Sequence, residues 1–179
     1  MSSPLWLDSF PHDWEVAHEA TVPGRVPTVV YYPGASRAGG SDGIWLRITP
    51  PAGEQWTGVF SSDNLPGRLN VVSSWPDPRM LLVAAGGDPY LVEAADPDHW
   101  SRLDRPTSRW FEPIGPLALI LDDEVLAAYD REGLAWESDA LGRATWLGVL
   151  DDEVHLRTGE LLHRISLKHG RTVTEAASW

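Results

Sequence analysis

Beyond residue 43, apolar and polar positions alternate with a period of two in short runs broken by Gly, Pro and Asp, a pattern that predicts β-strands. Ile44, Leu46 and Ile48 alternate with Trp45, Arg47 and Thr49. Pro50, Pro51 and Gly53 end this run by removing ladder donors and turning the chain, and Gln55 to Phe60 resumes it, so that 44–60 reads as a hairpin. Met80 to Ala84 and Tyr90 to Glu93 flank Gly86-Gly87-Asp88-Pro89, a second hairpin. Leu117 to Leu121 is an unbroken apolar run of strand length. It is followed by a strand from Val125 to Tyr129, a turn at Asp130 to Gly133 and a strand centred on Ala135 and Trp136. Thr145 to Leu150 leads to Val154 and Leu156, a turn at Gly159, a run through Leu161, Ile165 and Leu167, a turn at His169-Gly170 and a return through Thr172 to Thr174.

The pattern divides the chain into an irregular, Pro/Gly-rich N-terminal segment, 1–43, packed on a single β-rich domain, 44–175, with hairpin units near 80–95, 117–136 and 145–167. Pro11 breaks any helix through Asp8 to His18, and Pro23, Gly24 and Pro27 restrict Thr21 to Tyr32 to an edge or irregular strand. Tyr32 to Gly43 reads as an exposed loop whose Gly39-Gly40 lacks the Lys-Ser/Thr ending of a phosphate loop, and Ser61 to Arg68 as a polar turn. Asp96 to Leu103 predicts one or two helical turns, with Asp96 as cap and Pro97 at the first helical position.

Asp122-Asp123-Glu124-Val125 follows one apolar strand, and Asp151-Asp152-Glu153-Val154 follows another 29 residues later. The fold class expected is mainly β: a twisted antiparallel hairpin meander or partly open barrel, with a small β-propeller-like repeat fold as the alternative. Across 80–168 the hairpin units resemble β-propeller repeats in general form, without any repeat-family signature. That resemblance assigns a role to no residue. Four blades of about 40 residues each need more chain than remains after the irregular segment, which favours the meander.

Composition changes this picture in three ways. A net charge of -12 repels nucleic-acid phosphates and anionic lipid, and the densest basic stretch, His163 to Arg171, fits the arms of a solvated hairpin. The absence of cysteine excludes disulfides, thiolate zinc sites and a cysteine nucleophile. Ten tryptophans, spread evenly from Trp6 to Trp179, predict that each structural unit contributes a large side chain to a shared core. No apolar stretch reaches membrane-spanning length and the first residues lack a basic, apolar leader pattern, so the expected location is cytoplasmic.

Candidate chemistry is sparse. His12 and His18 flank Asp13 and Glu15 without a complete ligand set, so no metal site is assigned. Asp96, Asp98 and His99 read as a capping cluster; no GxSxG elbow supplies a nucleophile, and no cofactor is implied. His163 reads as a core-edge histidine. If the repeats stack, Asp122, Asp123, Glu124, Asp151, Asp152 and Glu153 form an acidic interaction rim. The function expected is therefore a non-enzymatic protein-interaction domain, in concrete form an immunity or inhibitor protein for a basic partner. The alternatives are a small-ligand binding domain or enzyme with a tryptophan-lined pocket or face around Tyr90, Trp110 and Trp136, and a structural subunit of a larger assembly.

Overall fold

Alternation at Ile44, Leu46 and Ile48 buries those three side chains on one face of a strand, Gly43–Thr49, and leaves Arg47 in solvent. The same rule operates throughout the computed structural model, which describes residues 4–19, 28–33, 35, 43–61, 67–105 and 108–177. Among these residues every helix-or-strand element is a β-strand. The loop expected around Gly39-Gly40, most of the Ser61 to Arg68 turn and Trp179 lie outside the described residues.

Two compact units divide the chain, Met1–Thr107 and Ser108–Trp179. In the first, the strands are β1 (Leu5–Leu7), β2 (Glu15–His18), β3 (Val29–Tyr31), β4 (Gly43–Thr49), β5 (Trp56–Ser61), β6 (Val71–Ser74), β7 (Met80–Ala85), β8 (Asp88–Glu93) and β9 (Asp96–Arg102). They form sheet A, in the order β1-β6-β7-β8-β9, and sheet B, in the order β2-β4-β5-β3. Both are antiparallel except at one edge each, where β1 runs parallel to β6 and β3 parallel to β5. Leu46, Ile48, Trp56 and Phe60 of sheet B share one core with Leu81, Val83, Tyr90 and Val92 of sheet A. In β5 the rings of Trp56 and Phe60 close over Gly58, where a β-carbon would stand 2.7 Å from Phe60 Cε2. β7 is the middle strand of sheet A and buries Leu81 through Ala85 without a break, which is why its sequence is an apolar run rather than an alternation.

The second unit contains β10 (Trp110–Ile114), β11 (Leu117–Leu121), β12 (Leu126–Asp130) and β13 (Gly133–Glu137), followed by β14 (Thr145–Leu150), β15 (Glu153–Thr158), β16 (Leu161–Ser166) and β17 (Thr172–Ala176). Each group of four is an antiparallel meander in chain order, sheet C and sheet D. Leu119, Leu121, Leu126 and Ala128 of sheet C pack with Val154, Leu156 and Ile165 of sheet D. β15 keeps the alternation, with Val154 and Leu156 buried and Arg157 on the other face, whereas β11 and β12 are buried almost throughout.

The fold is thus all-β, with the described strands distributed over four separate sheets, none of which closes into a barrel. The helical turns expected at Asp96 to Leu103 are instead strand β9, paired to β8 from Glu93↔Asp96 through Tyr90↔Arg102. Asp96 does accept a backbone N–H, that of Asp98 at 3.1 Å, but in a local turn rather than a helix cap. Pro97 is tolerated because β9 is an edge strand. Of the tryptophans, Trp14, Trp56 and Trp75 are buried in the first unit and Trp136 in the second, while Trp6, Trp100 and Trp110 are exposed.

Candidate functional site

The two acidic triplets occupy different structural positions. Asp122 directly follows β11 and is 6% exposed. Its Oδ1 accepts the backbone N–H groups of Glu124 at 2.7 Å and Val125 at 2.8 Å, and its own N–H donates to the Val125 carbonyl at 3.1 Å. This is an Asx-type turn: the carboxylate supplies the acceptor that the reversing backbone lacks. Asp123 faces Arg109 at 3.6 Å and Arg143 at 4.0 Å, and Glu124 is exposed. Asp151 and Asp152 are the exposed two-residue turn between β14 and β15, both at positive φ, 50° and 62°, the conformation of a type I′ hairpin. Glu153 reaches Arg164 at 3.5 Å, and Arg164 also holds Glu175 at 3.2 Å. The first triplet joins the second and third strands of its sheet and the second joins the first and second strands of the next, so the 29-residue echo does not fall on equivalent places.

Tyr90 belongs to the first unit, Trp110 and Trp136 to the second. Tyr90 lies buried in the first unit, its hydroxyl donating to Pro33 O at 3.1 Å and its ring 5.7 Å from Phe60 and 6.1 Å from Tyr32. Tyr32 donates to Pro97 O at 3.1 Å, and burial, reinforced by Asp98 and Asp96, pushes its phenol well above the ordinary range, so it stays neutral. Trp136 and Trp110 belong to the second unit. The Trp136 indole N–H donates to Leu167 O at 2.8 Å from within the core. Trp110 is 42% exposed, stacks on Trp146 at 6.0 Å and 17°, and donates to Glu112 at 3.2 Å.

The histidines divide into surface and core. His99 pairs with the Glu93 carboxylate on the exposed face of β9. His163 is buried on β16; its Nδ1 lies 2.9 Å from Thr174 Oγ1, its Nε2 has no partner, and burial lowers its pKa. Among the described residues no three His, Asp or Glu side chains converge as metal ligands would. Nor is any helix there long and apolar enough to cross a membrane.

A cavity of about 400 Å³ opens in the first unit beneath the segment that carries the chain from β1 to β2. Trp6 from β1, Asp8, His12 and Trp14 from the connecting segment, and Glu15 at the start of β2 line it. Leu7, Val16 and the fully buried Val72 and Leu81 supply its apolar lining, and Ser73 and Ser74 complete it. The roof is fixed by hydrogen bonds. Ser74 Oγ accepts the N–H groups of Ser9 at 3.0 Å and Phe10 at 2.8 Å, and the Trp14 indole donates to Pro78 O at 2.9 Å. His12 stacks on Trp14 at 3.8 Å, with Nδ1 2.9 Å from Trp14 O and Nε2 2.7 Å from Asp8 Oδ1. Proximity in sequence points from His12 to Asp13 and Glu15 and misses Asp8, its actual partner. The available signals were the four-residue spacing of Asp8 and His12 and two serines side by side in the otherwise apolar run of β6.

No protein-family profile and no curated protein sequence matches the chain. Among solved structures, it is similar to PorZ, described as an essential bacterial surface component of the type-IX secretion system of Porphyromonas gingivalis, at 15% identity and a TM-score of 0.37 over 75% of this chain and 20% of that one. It is also similar to the N-terminal domain of Nup159, at 11% identity and a TM-score of 0.48 over 97% of this chain and 53% of that one. The chain therefore spans about a fifth of the first structure and about half of the second.

Proposed function

We propose that this chain is a non-enzymatic protein-interaction domain that serves as a subunit of a larger assembly, docking through the β14 edge of its second unit. The observation that carries this reading is the surface of β14. Leu147 is 50% exposed, Val149 41% and Leu150 60%, and no described strand pairs with the outer side of β14. Edge strands are ordinarily guarded by charge. The edge strand β9 carries Asp96, Asp98, His99 and Arg102, and β17 carries Glu175, whereas TWLGVL in β14 carries no charge at all. The hairpin ends in Asp151 and Asp152, so the partner surface that fits is apolar with a basic border. This retains the acidic contribution for the exposed pair and withdraws it from Asp122, whose carboxylate is engaged by its own backbone.

The three four-stranded sheets beside one of five, with consecutive meanders in C and D, support a propeller-like repeat over a partly open barrel as the finer assignment of fold. The interface is tested by purifying native complexes with the wild-type chain, with Leu147→Asp/Leu150→Asp and with Asp151→Asn/Asp152→Asn. Loss of the complex in the first variant, with only a salt-sensitive weakening in the second, is expected. Retention of the complex in the first variant overturns the β14 interface, and loss in the second alone transfers the role to the acidic tip.

A further inference from the structure

We propose that the cavity roofed by the β1 to β2 segment binds a small amphipathic organic cation, an ammonium head with an apolar tail. This site is independent of the β14 interface and is defined by the groups that the cavity leaves free. Three of its donor groups are engaged internally: the Trp14 indole N–H with Pro78 O, the Ser73 hydroxyl with Ser74 O at 2.8 Å, and the His12 ring nitrogens with Trp14 O and Asp8. Among the described residues neither Lys nor Arg lines it.

A ligand therefore meets acceptors and π-electron density. The Asp8 side chain is 81% exposed even while it pairs with His12, and Glu15, also exposed, lines the same cavity. Trp6, 42% exposed, adds an indole to the same lining. A carboxylate pair with an indole beside it is the chemistry that recognises ammonium and alkylammonium groups. Leu7 and Val16, both half-buried, offer apolar lining for a hydrocarbon tail of a few carbons. A volume of about 400 Å³ holds such a molecule and lies within the usual range for ligand sites. An anion would be repelled by Asp8 and Glu15, with no Lys or Arg in the described lining to offset them, and a purely apolar ligand would leave both unused.

The same head group occurs in free amines and in a lysine side chain presented by a partner, so the test separates the two. Hexyltrimethylammonium is titrated against the full chain by calorimetry and by indole 15N chemical shifts, alongside the neutral isostere with a tert-butyl head, hexanesulfonate and an N-acetylated, C-amidated lysine peptide. Saturable binding of hexyltrimethylammonium, with binding of the neutral and anionic probes about tenfold weaker or absent, is expected. Glu15→Gln, a surface change of the same shape, should weaken it about fivefold, and Trp6→Leu about tenfold, while Leu147→Asp/Leu150→Asp leaves it unchanged. Tighter binding of the lysine peptide than of the free ammonium assigns the cavity to a side chain of a partner. Equal affinity for the neutral isostere, or no saturable binding of any cation, overturns the proposal.

Discussion

The indole ring of Trp136 occupies the space that a β-carbon on Gly170 would need: Cε3 lies 2.7 Å from that position and Cδ2 3.0 Å. The residue also sits at φ +67°, a conformation that L side chains adopt at a penalty. Because Trp136 is fixed by its bond to Leu167 O, neither partner can give way cheaply. Gly170→Ala should destabilise the second unit by about 2–4 kcal/mol, the sum of overpacking and backbone strain. Gly159→Ala, at φ +59° with no atom within 4 Å, isolates the backbone part and should cost about 1 kcal/mol. Urea unfolding of the two variants reads the difference. Equal losses would mean that the ring does not hold this position in solution.

The turn of the β14 to β15 hairpin points to a stabilising change. Asp151 and Asp152 both adopt positive φ, which Asn and Gly accept more readily than Asp. Asp151→Asn/Asp152→Gly should raise stability by about 0.5–1 kcal/mol, seen as a rise in Tm of about 2 °C. A fall in Tm would show that the two carboxylates support the turn in a way that backbone preference does not capture.

At Asp122 the hydrogen-bonding role and the charge are separable. Asp122→Ala removes a buried acceptor from two N–H groups and should cost about 1–3 kcal/mol, whereas Asp122→Asn keeps an acceptor and should cost clearly less. Chemical denaturation of both variants decides it. If the two are equally destabilised, the negative charge itself holds the turn.

His163 links stability to pH. Burial disfavours its charged form, so its folded pKa lies below the ordinary 6.5. As pH falls through 6.5 the unfolded chain takes up a proton that the folded chain refuses, and stability declines until the folded value is passed. The Tm should therefore drop between about pH 7.5 and 5.5, and His163→Gln should flatten that part of the profile. An unchanged slope in the variant would remove His163 as its source.

Where neighbours in sequence are neighbours in space, the chain could be read directly. Ile44, Leu46 and Ile48 point inward as their alternation requires, and the apolar run Leu117–Leu121 is a buried strand within the bounds its residues suggested. Asp96-Pro97 was misread because a cap and an edge-strand turn use the same carboxylate-to-amide bond, and only the pairing partner, β8, decides between them. The echo of Asp122 at Asp151 was legible as letters and misleading as structure, since one carboxylate is consumed by a buried turn and the other stands at a hairpin tip. The cavity could not be read at all. Its walls bring Trp6 and Trp14 against Val72 and Leu81, and no local period encodes a contact across so many residues.

The two parallel edge pairs have a consequence for how the chain acquires its shape. Sheets C and D are built from consecutive hairpins, so each strand finds its partner as soon as the next one exists. β1, by contrast, pairs with β6, and β3 with β5, so the earliest strands leave the ribosome before the strands that receive them. Until residues 71–74 have emerged, Leu5, Trp6 and Leu7 have no sheet to join. The cavity, which β1 helps to wall, accordingly forms only after β6 has been made, even though its first residues precede that strand in the chain.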